Sequence, residues 1–381
     1  MRLFSRPKKD VLIASFDITS SSIGGILFQH HPSKLPEVLT TIRLQTGFFP
    51  DVEFQKIERS LHKTFEMVIG HLKKTLGQKK PDLAVIVFSS PYFVSQSNII
   101  HVRKPKPFEI TADFVKESVA GETASFKKQW QIPEVIEREI MAYRLNGYPV
   151  SRPFGRQAHN FEIALYISLG IKAIREKLKE CVSHSFGETP VRFQSFPFVT
   201  FSALKDVIDI NKGLLLVDIG GEVTDLVLIR NDILEEAISF PLGENFLIRR
   251  ISDAFHFSLE ESHSLLDQYA RKDLHNVTEE KIRKILEGAG QKWCEYFRKA
   301  LRQSPDFASL PQNFLFIGGK AAMAFEDSAA CIKEYKSQFL MSEAFKKHFV
   351  FRKGFNENKD ILLMLSALFI DKLLLKIWRN V

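Results

Sequence analysis

Cysteine is scarce, with three in 381 residues. Cys181, Cys294 and Cys331 lie far apart, form no CxxC and match no zinc-ligand spacing. Neither a zinc module nor a disulfide framework is indicated, and reduced thiols in a cytosolic protein are expected. Long apolar runs are also missing. No stretch reaches the roughly 18 apolar residues of a membrane-spanning helix, and the longest, residues 361–370, is interrupted by Asp371 and Lys372. The basic start (Arg2, Arg6, Lys8, Lys9) leads into an apolar run over 11–16 that is too short for a secretory signal. No GxGxxG follows a strand pattern and no GxxxxGKS/T occurs, which removes a Rossmann dinucleotide site and a P-loop. The histidines, His30 and His31 included, show no metal spacing, and no Ser/His/Asp order stands out for nucleophilic catalysis.

What is present is globular. Hydrophobic residues make up 45% and charged ones 26%, enough for a sizeable core and against disorder. The length suits two or three domains. Lys and Arg number 53 against 45 Asp and Glu, a net charge of +8, which leaves room for an anionic partner such as nucleotide, nucleic acid or lipid without choosing among them. Thirty-four Phe against 7 Tyr and 3 Trp predicts a Phe-packed core.

Residues 11–16 read as a buried strand. It turns through Asp17, Ile18, Thr19, Ser20, Ser21 and Ser22 and returns over 23–28, a hairpin with a hydroxyl-rich tip. Asp51 is placed to cap a helix carrying Ile57, Leu61, Phe65, Val68, Leu72 and Leu76 on one face. Residues 83–88 form another strand, so the layer is mixed α/β. Over 90–158 the character changes to a helix from Thr111 to about Lys128, an extended stretch 135–145 and the turn pair Asn146 and Gly147: a small α+β insertion. Strands resume at 161–169 and 191–196. Residues 213–229 then repeat the opening motif as strand, Gly-Gly turn and strand. Laid over the first hairpin, Asp218 falls on Asp17, Ile219 on Ile18, and Gly220 and Gly221 on Thr19 and Ser20. This weak internal repeat predicts two related lobes. Residues 244–301 are helical, a strand at 314–317 ends in Gly318 and Gly319, and Asp360 opens a final helix.

A strand ending in Asp and then Gly-Gly suits one task. Glycines let the backbone approach a polyanion and aim successive N–H groups at it, and the Asp can hold a metal-bound water beside the phosphates. Singly, such a turn is often only a tight hairpin. Two from two lobes, with a third Gly-Gly turn, form an ordered set.

These motifs resemble those of the actin-like ATPase superfamily, most closely the FtsA and PilM type. Asp17 to Ser20 resembles the first phosphate motif. Asp218, Gly220, Gly221, Thr224 and Asp225 match the second closely. Gly318 and Gly319 resemble the adenosine motif, and Pro241, Leu242, Gly243 and Glu244 the segment after the second phosphate loop. The insertion sits where FtsA and PilM carry their small subdomain. The resemblance implies an α/β, actin-like (ribonuclease H-like, duplicated) two-lobe fold with an α+β insertion. It implies ATP with Mg²⁺ between the lobes, Asp17 and Asp218 facing the metal through water. Thr19, Ser20 and Ser21 would meet the phosphates from one side and Gly220, Gly221 and Thr224 from the other; Gly243 is also expected to bind nucleotide, and Gly318 and Gly319 would line the base. The pattern departs at Thr19, where Gly is usual, and at Lys320, where a third Gly is common. It departs again at His263 and Leu266, where a Glu and a Lys are expected on the helix beginning near Ser258. These departures imply weaker binding and slow hydrolysis, at most a weak ATPase.

The expected organisation is a first lobe over 1–89 and 159–210, the insertion over 90–158, a second lobe over 211–358, and a C-terminal helix over 359–381. The resemblance implies a cytoplasmic scaffold at the inner face of the membrane. Its role would be in cell division, with a tubulin-like division protein as partner and self-association into filaments. The alternatives are a PilM-like platform for type IV pilus assembly, binding a pilus membrane-protein peptide, and a phosphotransferase on the same fold. Residues 361–370 are expected to pack on the core as a buried helix; beyond them Lys372, Lys376 and Arg379 share one side beside Leu373, Leu374, Ile377 and Trp378, a composition that also suits peripheral membrane contact as the alternative. No nucleic-acid partner is expected.

Overall fold

The computed structural model describes residues 10–47, 54–132, 134–318, 324–325, 329–352 and 360–379. The chain opens with β1 (Val11–Ile18), β2 (Ser22–His30), β3 (Glu37–Gln45), α1 (Phe54–Leu76) and β4 (Leu83–Phe88). β1 and β2 form the expected antiparallel hairpin, with Asp17 opposite Gly24, and β4 runs parallel to β1 on its other side. Helix α1 buries Leu61, Phe65, Val68, Leu72 and Leu76, spaced three or four residues apart, against this sheet. Asp51 and the side chain of Ile57 lie outside the described residues.

The insertion comprises β5 (Phe93–Glu109), α2 (Ala112–Trp130), β6 (Val135–Leu145), β7 (Tyr148–Val150) and β8 (Gln157–Gly170), a separate sheet in the order β5-β8-β6-β7. Asn146 and Gly147 both take positive φ, 50° and 86°, as a two-residue hairpin requires. The chain then returns to the first sheet through α3 (Lys172–Phe186), β9 (Val191–Ser195) and α4 (Phe196–Leu204). Glu137 on β6 pins the insertion at this joint. Its carboxylate accepts the Ser195 N–H (3.1 Å) at the start of α4 and the Ser168 hydroxyl (2.9 Å). Burial pushes this carboxyl up to about 8.

The second half repeats the opening. β10 (Leu214–Ile219) and β11 (Thr224–Arg230) form an antiparallel hairpin, and β13 (Asn313–Ile317) lies parallel to β10 where β4 flanks β1. With β12 (Ile233–Phe240) and β14 (Lys336–Phe339) the order is β12-β11-β10-β13-β14. Helices α5 (Glu244–Phe255), α6 (Leu259–Arg271) and α7 (Asn276–Leu301) cover one face. The short β15 (Val350–Phe351) then crosses back to pair with β3, completing a six-stranded first sheet in the order β15-β3-β2-β1-β4-β9. The final helix α8 (Ile361–Arg379) packs with α4 between the two sheets.

That layer explains the uninterrupted apolar strands. Leu215, Val217 and Ile219 face the α5–α7 layer, while Leu214 and Leu216 face α4 and α8, so β10 is covered on both sides. Phe16, Phe28, Phe65, Phe88, Phe161, Phe196, Phe297, Phe314 and Phe316 are among the largest fully buried side chains, as the Phe bias predicts.

Two expectations are modified. Residues 363–370 of α8 are buried, Asp371 pairs with the buried His30, and Lys372 pairs with Asp206. Leu374 is in the core and Leu373 packs beside it, so two of the four apolar residues named for a membrane-facing tail are used internally. The side chains of Lys376, Ile377, Trp378 and Arg379 lie outside the described residues. Among the described residues no helix is long and apolar enough to cross a membrane.

The expectation of reduced thiols is corrected for two of the three cysteines. Cys294 on α7 and Cys331 are joined as a disulfide across 37 residues, leaving Cys181 free. Spacing along the chain hid this pair because the β13 segment folds back onto α7. Closing a loop of this length contributes about 4 kcal/mol in a chain-entropy estimate. Thiol titration of the denatured, unreduced protein is therefore expected to find one reactive cysteine, and Cys331→Ser to lower the urea midpoint. Three titrating thiols would contradict the pairing.

Candidate nucleotide site

The tips of the two equivalent hairpins meet. Between them lies a cavity of about 350 Å³ lined by Thr19, Ser20, Ser21, Asp218, Gly220, Gly221 and Gly318, among others. The volume is within the range of small-ligand sites. The lobes touch directly at its floor. The Glu222 N–H donates to Ser20 Oγ (3.0 Å), and a Cβ placed on Gly221 would fall 2.2 Å from that of Ser21. A side chain at 221 would therefore force the tips apart. Across the cavity Ser90, just after β4, donates to Asp225 Oδ1 at 2.6 Å, and Ser239 donates to the same oxygen at 2.5 Å.

The first tip is closed by its own hydroxyls. Thr19 Oγ1 donates to Ser22 O (3.0 Å) and accepts the N–H groups of Ser22 (3.0 Å) and Ser21 (3.3 Å). A threonine in place of glycine thus fills with its own oxygen part of the N–H cradle that an anion would use. At the second tip, Gly220 O and Gly221 O accept the N–H groups of Glu244 (2.9 Å) and Asn245 (2.8 Å) at the start of α5. Gly243 sits behind this turn, where a Cβ would come within 2.3 Å of Gly220 O, so it supports the turn without facing the cavity.

Thr224 is placed elsewhere than the resemblance implies. It is fully buried, donates to Leu242 O (2.6 Å) and accepts from Trp293 Nε1 (3.2 Å), inside the second lobe. On α6, whose N-terminus carries a Ser258–Glu261 capping box, His263 and Asp267 reach the cavity whereas Leu266 is buried in the core. Residues 263 and 267 lie one turn apart on the cavity side, whereas 266 is about 100° round the helix from 267 and turns into the core. Gly318 lines the cavity; Gly319 and Lys320 lie outside the described residues.

The electrostatics turn on buried carboxylates. The β10–β11 register sets Asp218 directly opposite Asp225, an unfavourable like-charge pair. Burial, then the charges of Asp225 and Asp17, raise the Asp218 carboxyl well above its ordinary value. Burial also raises Asp17, against the opposing pull of Arg43. Asp17 Oδ2 accepts from Arg43 (2.7 Å), but its buried Oδ1 has no hydrogen-bond partner. Asp218 lines the cavity, whereas Asp17 is fully buried and does not; Asp218 would hold a hydrated divalent cation through a water ligand, with the unpartnered Asp17 oxygen buried nearby. Bound there, the ion would neutralise phosphate charge. Arg43, on the mixed-polarity strand β3, is the site residue that motif reading missed.

These two hairpin-bearing lobes with an inserted α+β sheet define the actin-like ATPase fold, of the FtsA and PilM type. An alignment of length 224, which covers 54% of this chain, is 28% identical to the cell division protein FtsA of Bacillus subtilis (strain 168) and spans half of that protein's length. The fold matches the PilM–PilN type IV pilus biogenesis complex with a TM-score of 0.63 at 16% identity, over 96% of this chain and 99% of that one. It matches the ethanolamine utilization protein EutJ from Carboxydothermus hydrogenoformans with a TM-score of 0.50 at 13% identity, over 96% and 90%. No protein-family model matches.

Because Asp218 titrates higher folded than unfolded, its protonated form is favoured by folding. Stability of the nucleotide-free protein therefore falls as pH rises from the ordinary carboxylate value toward the raised one. Asp218→Asn is expected to raise the melting temperature at pH 7 by about 2 °C and to abolish stabilisation by Mg-ATP. Unchanged Mg-ATP affinity by calorimetry would show that the metal side of the site is misplaced.

Proposed function

We propose that the chain is a nucleotide-binding scaffold acting in cell division, in which ATP and Mg²⁺ between the lobes control closure rather than metabolic chemistry. The observation that carries this reading is the meeting of the two hairpin tips on one cavity, with Asp218 on its wall and the buried Asp17 joined to it through Arg43. The FtsA identity over half the chain favours the division role. Its partner would then be a tubulin-like division protein, with self-association into filaments at the membrane's inner face. Hydrolysis is at most slow, because the Thr19 and Ser20 hydroxyls are already engaged within and between the hairpins.

The PilM-like reading has its own support. The fold match to the PilM–PilN complex runs over nearly the whole of both chains. An apolar recess of about 470 Å³ also opens where the insertion meets β12, lined by Phe93, Val94, Trp130, Pro197 and Phe240. A short peptide from a pilus membrane protein would fit there. The phosphotransferase reading ranks third and would require rapid, substrate-dependent ATP turnover.

Pull-down with the C-terminal tail of a tubulin-like division protein and with the cytoplasmic peptide of a pilus membrane protein separates the first two readings. Saturable capture of the tail alone is expected. Capture of the pilus peptide alone would reverse the order, and Trp130→Ala should then weaken it by roughly tenfold.

A further inference from the structure

A polyphosphate in this crevice meets an acidic wall. Asp218, Asp225, Glu244, Asp267 and Asp360 all line it, and among the described lining residues Arg43 is the only Arg or Lys. The first hairpin contributes no cation of its own. Position 24, opposite Asp17 on the returning strand, is glycine. Arg43 stands directly opposite Gly24 on β3, and its side chain folds back over that bare position. A Cβ on Gly24 would lie 2.7 Å from Arg43 Nη2, 3.0 Å from its Cζ and 3.0 Å from Leu363 Cδ2. The glycine thus makes the space that the guanidinium occupies.

The guanidinium is fixed from three sides. Nη2 donates to Asp17 Oδ2 (2.7 Å) and Asp360 Oδ1 (3.2 Å), Nε to Asp360 Oδ2 (2.5 Å), and Nη1 to Ser22 Oγ (2.8 Å). These bonds leave one N–H of Nη1 uncommitted. The side chain is 19% exposed and lines the cavity beside the first tip. Burial opposes its charge, but Asp360 and Asp17 outweigh that effect and hold it firmly protonated. Asp360 is itself anchored, since its Oδ1 accepts the Leu363 N–H (3.2 Å) at the start of α8.

Resting on the nucleotide reading above, we propose that Arg43 is the phosphate-neutralising side chain of the crevice, seated by Gly24 and aimed by Asp17, Ser22 and Asp360. A pre-ordered guanidinium loses little rotamer freedom on meeting a phosphate and matches its oxygens better than an ammonium. It supplies from β3 the positive charge that neither hairpin tip carries. Asp17 holds Arg43 through one oxygen, while the other is buried without a hydrogen-bond partner.

The test is calorimetric affinity for AMP, ADP and ATP in excess Mg²⁺, for the full chain and for Arg43→Gln, Arg43→Lys and Gly24→Ala. The expected pattern grows with phosphate number. Arg43→Gln leaves AMP within about threefold and weakens ATP by roughly tenfold or more, with ADP between. Arg43→Lys recovers part of the ATP loss, and Gly24→Ala, which displaces the guanidinium, reproduces the graded pattern. A purely structural Arg43 would depress all three ligands equally, and that result or an unchanged ATP affinity overturns the proposal. Should Arg43→Gln not fold, the Lys and Gly24→Ala variants decide on the same gradient. Failure of the unmodified chain to bind any of the three would overturn the nucleotide reading and this proposal together.

Discussion

The structure depends on buried negative charge held at the meeting of two strand ends. Asp17 closes β1 and Asp218 closes β10, each in a sheet whose strands are covered on both faces. Burial raises both carboxyls, and Asp218 also faces Asp225 across its hairpin. Such an arrangement costs folding free energy and is retained where a ligand relieves it. Arg43 relieves part of it from within. The Asp17 Oδ1 remains buried without a hydrogen-bond partner.

Rigidity around this point comes from the apolar layer between the sheets. Helices α4 and α8 fill that layer, and α8 starts at Asp360, which binds Arg43. Among the described residues, polar contacts that join the lobes at the crevice include Ser20 with Glu222, and Ser90 with Asp225 and Ser239. A ligand between the tips would compete with or reinforce those bonds at small cost. This is the mechanical basis for treating nucleotide as a control on lobe closure.

Much of this was legible in the sequence, for identifiable reasons. Continuous apolar runs ending in Asp marked β1 and β10, because strands covered on both faces need no polar alternation. Asn146 and Gly147 marked a turn, because both tolerate positive φ. Other features depended on tertiary contacts. β3 exposes part of its length and mixes Glu37, Thr40, Thr41 and Arg43 with apolar residues, so neither its strand nor its arginine stood out. The resemblance implies that Thr224 meets the phosphates, yet strand alternation turns its hydroxyl toward Trp293. A shift of one position on α6 exchanged Leu266 for Asp267 at the crevice. The Cys294–Cys331 pair follows from how the β13 segment folds back, which spacing does not report.

The most direct test of the account is diffraction from crystals grown with Mg²⁺ and a non-hydrolysable ATP analogue. The account predicts phosphate density between the Thr19–Ser21 and Gly220–Gly221 tips, with a metal water near Asp17 and Asp218. An empty crevice at saturating ligand, or nucleotide bound at another surface, would contradict it.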